Sequence, residues 1–319
     1  MRHDWIVPCV AALLLLALPA VLTPYTQDLV VKIAIYAVFA LSLELLVGVT
    51  GLVSLGHAAF LGIGAYVTVL AAGDSGGSIA TVAPLAVLAA ATYALFVGAL
   101  SLRTKGVYFI MVTLAFAQMA YFVFHDTKLA GGSDGLFLYA KPSFGALNLD
   151  DKRHLYYTVI VTLITSYALL ALLMRSRFGH ALAGIRVNEQ RMRAAGFATF
   201  GYKLAAFVVA GALAGLAGCL LAIKDGAVNP ELLSWHESGA VLLMLILGGI
   251  GSLRGAVVGA IAFTLLKELF QLESLLGPVA SHWQMTLGFT IIAFVALLPK
   301  GLIGLRSRFS RTGAGAVHG

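Results

Sequence analysis

A run of about 20 mostly apolar residues is long enough to cross the roughly 30 Å hydrocarbon core of a bilayer as a helix. This chain is built from such runs, one after another, from Trp5 to Pro299. Its 319 residues are 60% hydrophobic and 11% charged, well below the roughly 25% charged make-up of a water-soluble domain. Apolar runs lie near 6–24, 29–49, 52–72, 79–101, 105–125, 155–174, 204–223, 238–251, 255–270 and 284–299. Irregular backbone facing lipid is too costly to span a bilayer, so the reading is all-α: one polytopic membrane domain over 1–319 with about ten transmembrane helices. The run at 238–251 rises only about 21 Å, which makes a half-helix or re-entrant segment the alternative there. The first run, preceded by Arg2, also fits a cleaved signal segment.

Charge orients the runs. The formal net charge of +7 comes from basic residues at the edges of apolar segments. They form no aromatic-interleaved patch, which argues against a nucleic-acid partner and for the bilayer. Loops on the cytoplasmic side of a membrane carry the Lys and Arg excess. With the N-terminus inside, that side collects Arg103, Lys105, Arg175, Arg177, Arg191, Arg193, Arg254 and the basic tail 300–319. The opposite side sets Lys32, Lys128, Lys141, Lys152, Arg153, Lys224 and Lys267 against Asp28, Asp74, Asp126, Asp134, Asp150, Asp151, Asp225, Glu231, Glu237, Glu268 and Glu273. Both termini are therefore expected in the cytoplasm, the segment 126–153 outside, and 175–203 as the longest cytoplasmic interruption. Cys9 and Cys219 lie within apolar runs, where a thiol is ordinarily a small packing residue.

Catalytic signatures are missing from the sequence. No Gly-x-x-x-x-Gly-Lys-Ser/Thr loop occurs to cradle nucleotide phosphates, and the eight histidines are scattered rather than set at metal spacing. The chain is expected to be no enzyme and to bind no cofactor of its own.

Three places carry more information. In 175–203, Leu182, Ile185 and Met192 share roughly one helical face while Arg186, Glu189 and Arg193 lie on another, the pattern of a short amphipathic helix. It reads either as a basic loop at the headgroups or as a docking helix that seats its apolar anchors in a partner's groove, with Glu189 as a charged contact. Glycine-rich interruptions at Gly51–Gly64 and Gly248–Gly255 permit close helix packing, or break the helices along a polar path. The path would be lined by Ser54, Gly56, His57, Gly249, Gly251 and Ser252, with Glu44, the one acid expected well inside a span. A structural role competes with the functional one at Glu44, and a packing role at His57. On the other side, Gly132, Ser133 and Asp134 form an exposed turn that reads as an outer mouth or a plain connection.

Four blocks in order resemble the permease subunits of branched-chain amino acid ABC importers of the LivM type. They are Gly51–Phe60 followed by Gly62, Gly64, Ala65 and Tyr66; Gly131–Leu136; Phe178, Gly179, Ala181, Ile185, Arg186, Asn188, Glu189, Gly196, Tyr202 and Lys203; and Gly248–Ser252 with Gly255 and Gly259. The resemblance implies that Phe178, Gly179, Leu182, Ile185, Arg186, Asn188, Glu189 and Gly196 belong to a segment coupled to an ATPase. It implies a second homologous permease, two ABC ATPase subunits that hydrolyse the ATP, and a periplasmic substrate-binding protein, at the bacterial inner membrane. The implied solute is a branched-chain or other hydrophobic amino acid. Urea or a short amide is the alternative within the family, and an ion-coupled secondary transporter the alternative outside it.

Overall fold

A computed structural model describes residues 15–16, 18–20, 23–144, 147–272, 282–298 and 301–304. The first expected span, 6–24, lies mostly outside the described residues, as does the tail 300–319 apart from 301–304. The described chain is all-α, with eleven α-helices.

Helix α1 covers Pro24–Glu44 and starts where Thr23 caps it and Pro24 supplies a pre-set first turn. It continues as a wider π-helical turn over Leu45–Thr50, which stops at Gly51 in the left-handed region, φ 75°. Next come α2 (His57–Ala72), α3 (Ile79–Ser101) and α4 (Val107–Asp126). Three two-residue strands follow, β1 (Leu136–Phe137), β2 (Ser143–Phe144) and β3 (Leu147–Asn148). Asp151 caps α5 (Lys152–Arg175), and Ser176 and Asn188 cap the short helices α6 (Arg177–Val187) and α7 (Glu189–Ala194). After α8 (Thr199–Asp225) and β4 (Ala227–Val228) come α9 (Trp235–Gly248), α10 (Leu253–Gln271) and α11 (Trp283–Leu297).

By length and composition, six described helices can cross a membrane, or seven if α9 and α10 count as one broken span. Among the described residues the apolar runs thus appear as helices, with two differences. The run 52–72 is helical only from His57, because Gly51 turns the chain out of the helix and the Ser54 hydroxyl accepts the N–H of Gly56 at 3.2 Å. Runs 238–251 and 255–270 form a pair bent by 114° at Gly249–Ser252. Both outer ends of that pair return to the Pro24 end of α1: Trp235, Glu237 and Lys267 surround Lys32 and Tyr36. The pair is a helical hairpin.

Burial sorts the helices into two shells. In α1 and α8, 78% of the apolar stretch is buried, against 22% in α3 and α4, 28% in α5 and 19% in α11. The outer shell still presents Leu88, Phe96, Met111, Met119, Phe122, Leu172, Phe289 and Ile292 outward. Water would not tolerate an apolar belt of that extent, whereas lipid does. The protein is a multi-pass membrane protein. The centre is packed on small residues. A Cβ at Gly64 would collide with the backbone of Gly215, and one at Gly218 with the carbonyl of Leu61, so α2 and α8 approach with no side chain between them.

The bundle has two ends. At one, β1 pairs antiparallel with β4 in the register Leu136↔Val228, Ser143 donates its N–H to the Gly77 carbonyl at 3.1 Å, and Lys224 meets Asp28 at 3.3 Å. We call this the strand end. The other, the α6 end, holds Gly51, the segment 175–203 and the turn Gly249–Ser252.

Candidate functional site: a polar junction between two helix breaks

The two glycine-rich interruptions meet around α1. His57, at the start of α2, is fully buried and lies 2.8 Å from Ser42 Oγ through Nε2. Ser42 donates its only hydroxyl hydrogen to the Phe39 carbonyl, 2.6 Å away. Nε2 is therefore the donor to Ser42, and Nδ1 is left as an acceptor with no partner. Phe39 stacks on the ring at 5.4 Å and Phe60 meets it edge-on at 5.5 Å. This cage makes His57 a packing residue, the blander of its two readings. Gly56 beside it sits so close to α4 that a Cβ would strike the Thr113 carbonyl. Ser238 of α9 accepts the Ala58 N–H at 2.9 Å, tying the start of α2 to the hairpin.

About one and a half turns of helix after Phe39, Glu44 is also fully buried. Its Oε1 accepts the Gly251 N–H at 2.7 Å, while Oε2 has no hydrogen-bond partner. Gly251 (φ 98°) and Gly249 (φ 108°) both lie in the backbone region that favours glycine, and Ser252 caps α10 by accepting the Gly255 N–H at 3.1 Å. The carboxylate thus holds the tip of the hairpin. Gly48 leaves room for it, since any side chain there would overlap the Glu44 carboxylate.

Arg186 of α6 joins this group from outside. Its guanidinium donates to the Gly48 carbonyl in the π-turn, its stem lies over Gly51, and its charge acts on Glu44. Segment 175–203 is thereby fastened to the helix that holds the hairpin. Phe178 stacks on Tyr202 at 5.5 Å, and Gly179 lets α6 turn tightly against the carbonyls of Leu173 and Met174. Gly196, φ 88°, turns the chain from α7 toward α8.

Two expectations for this segment are corrected. Leu182 and Ile185 were expected as anchors for a partner's groove, yet both are buried inside the protein, because the α6 stripe closes over its own bundle. Glu189 was expected as an intermolecular contact. It is occupied by Lys203 at 2.6 Å, Arg193 at 2.6 Å and Thr199 at 3.2 Å. Burial alone would raise its carboxyl, but the Lys203 hydrogen bond and charge, with Thr199 and Arg193, outweigh that and hold it below its ordinary value. The outward face instead carries His180, Ala183, Val187, Gln190, Arg191, Ala194 and Phe197, with Val187 83% exposed.

At the strand end, Gly132, Ser133 and Asp134 form a single 3-10 turn in which Ser133 donates to Asp134 Oδ1 at 3.2 Å. The turn is pinned at Gly135, whose backbone abuts the Val228 carbonyl. Close by is a cavity that sequence reasoning missed, lined by Lys32, Tyr36, Glu237, Thr264, Lys267 and Trp283 among others. Lys267 and Glu268, neighbours in sequence, part company: Lys267 lies 5.4 Å from the Trp283 ring, and Glu268 accepts from Tyr25 at 2.6 Å. Only the clustering of charges and tryptophans at the ends of three runs hinted at it.

Residues 25–296 match the protein family described as branched-chain amino acid transport system, permease component. The high-affinity branched-chain amino acid transport system permease protein LivM of Escherichia coli (strain K12) is 28% identical, with 97% of this chain and 77% of that protein covered. LivM of Salmonella typhimurium is 28% identical over 92% of this chain and 73% of its own length. The permease protein LivH of E. coli (strain K12) is 26% identical over 46% of each chain. No solved structure matches.

Proposed function

This chain belongs to the branched-chain amino acid transport permease family and is a transmembrane permease subunit of an ABC importer, and on that premise we propose that it carries branched-chain or other hydrophobic amino acids inward. In this reading it pairs with a second permease, as the separate likenesses to LivM and LivH suggest. Two ABC ATPase subunits, which hydrolyse the ATP, sit at the α6 end, and a substrate-binding protein delivers solute at the strand end. The α6 end is cytoplasmic, as its Arg175, Arg177, Arg191 and Arg193 favour.

The observation that carries the reading is a continuous polar linkage. Arg186 grips the Gly48 carbonyl, Gly48 lies against Glu44, and Glu44 holds Gly251. A push on the exposed face of α6 and α7 reaches the hairpin tip through one guanidinium and one carboxylate, without passing through soft apolar packing. Such a linkage suits a segment that converts ATPase closure into helix movement.

Val187 provides the test, because it is exposed and its replacement disturbs no internal contact. Val187→Asp is expected to leave the permease inserted in the membrane while at least tenfold less ATPase co-purifies with it. Unchanged ATPase recovery and normal leucine uptake by this variant would return 175–203 to the role of a topology anchor.

A further inference from the structure

At the strand end α1, α9, α10 and α11 line a half-open cavity of about 600 Å³. Small-molecule sites typically span about 300–1,000 Å³, with mostly apolar walls and a few converging polar groups. Here Leu243, Phe263 and Leu287 supply apolar wall, and Glu237 and Lys267 supply the polar groups.

A split pair of charges sets this cavity apart from a solvated gap. Lys267 acts on the charge of Glu237, which Tyr36 hydrogen-bonds, yet among the described residues neither charge forms an ion pair. The neighbouring charges are already engaged: Glu268 by Tyr25 at 2.6 Å and Lys32 at 3.9 Å, and Glu231 by Tyr121 at 3.3 Å. A carboxylate and an ammonium that line one cavity without closing on each other are the converging polar groups of a small-molecule site.

We infer that this cavity binds the zwitterion of an apolar α-amino acid, its carboxylate on Lys267, its ammonium on Glu237 and its side chain against Leu243, Phe263 and Leu287. The inference rests on the amino-acid reading above. An α-amino acid carries both charges on one carbon and an aliphatic body beside them, which is the complement of this wall. The face of the Trp283 ring holds the Lys267 ammonium at the cavity wall, 5.4 Å from the ring centre. A phosphatidylethanolamine headgroup carries the same two charges, so the test separates the two sources.

With Ala240→Cys, at a half-buried position on the cavity wall, in the full-length permease in nanodiscs of phosphatidylglycerol, millimolar L-leucine is expected to slow alkylation by a small thiol reagent several-fold. Leucinol, which lacks the carboxylate, and 4-methylpentanoate, which lacks the ammonium, are expected to give no protection. The parent chain supplies the background from its native cysteines. A thiol that is never labelled, or labelled equally fast with and without leucine, overturns the proposal. Protection by added phosphatidylethanolamine but not by leucine gives the cavity to lipid and overturns it too. In the assembled importer, Lys267→Gln and Glu237→Gln should each cut leucine uptake at least tenfold at equal amounts of complex. Normal uptake by both variants refutes the site while leaving the amino-acid reading intact. An unmodified importer that carries no amino acid removes both.

Discussion

The two helix breaks look alike in sequence and differ in how they are held. The deep half of the first, at Ser54–Gly56, is buried, pressed against the α4 backbone and followed by a histidine caged by two aromatic rings. The second, at Gly249–Ser252, is covered only at its start, where Gly301 lies on Gly249. Ile250 is 45% exposed, and a side chain at Gly251 would meet open space. What fixes its far half to the bundle is one carboxylate, Glu44. A break packed on all sides is a joint that has been set, and a break held by one hydrogen-bonded side chain is a joint that can be released. The pathway residues proposed from the sequence therefore divide: Ser54, Gly56 and His57 form the fixed frame, and Glu44, Gly249, Gly251 and Ser252 form the part able to move.

Substitutions that load each joint sharpen this contrast. The largest effect is expected from Gly56→Ala, whose methyl group meets the Thr113 carbonyl and forces α2 away from α4. A loss of about 3 kcal/mol is expected from such overpacking, read as a lower thermal midpoint of the purified protein and reduced membrane levels. If the protein kept its wild-type midpoint, the first break would not be a rigid frame. Next, Glu44→Ala strands the Gly251 N–H, a loss of about 2 kcal/mol, and should abolish uptake, whereas Glu44→Gln keeps an acceptor and should recover much of both. Equal behaviour of the two variants would show that charge, not tethering, is what matters at Glu44. Gly251→Ala strains a backbone at φ 98° but collides with nothing. It should cost only about 1 kcal/mol, less than Gly56→Ala, and a reversal of that order would invert the comparison.

The smallest effect is expected at Glu189. Its carboxyl is held below the ordinary value near 4.5, so the clamp on Lys203 and Arg193 is fully formed above that pH and lost as pH falls through the lowered value. Glu189→Gln should flatten this acid limb while changing stability at neutral pH by under about 1 kcal/mol. A midpoint measured between pH 7 and 3 checks the sign.

Much of this arrangement was legible in the residue order. Helix positions followed from apolar length, and both breaks from glycines interrupting that length. The α6 stripe was legible as a stripe, but Leu182 and Ile185 carry no mark saying whether their apolar partner is another subunit or their own bundle. Periodicity gives a face and not its occupant. Glu189 was misread for a related reason, because Lys203, which meets it at the same 2.6 Å as Arg193, comes from the next helix, where helical periodicity gives no sign of the pairing. The strand-end cavity was the least legible. Lys32, Glu237 and Lys267 come from three separate runs, and each looks like an ordinary interfacial residue until the hairpin folds back and brings them together.

The central place of α1 also has a consequence in time. Ribosomes add roughly 5–20 residues per second, and about 150 residues separate the end of α1 from the start of α8, the other helix that is as deeply buried. For something like 10–30 s at that pace, α1 resides in the membrane with Ser42 and Glu44 uncovered and with the surface meant for α8 turned to lipid. The hairpin tip whose Gly251 N–H Glu44 will accept is made later still. Although α5 arrives mid-chain, the sides of α1 that face α8 and the hairpin must therefore be sheltered until the last two-fifths of translation delivers them. A truncated chain ending before Thr199 should be found bound to the insertion machinery or degraded, not resting free in the bilayer.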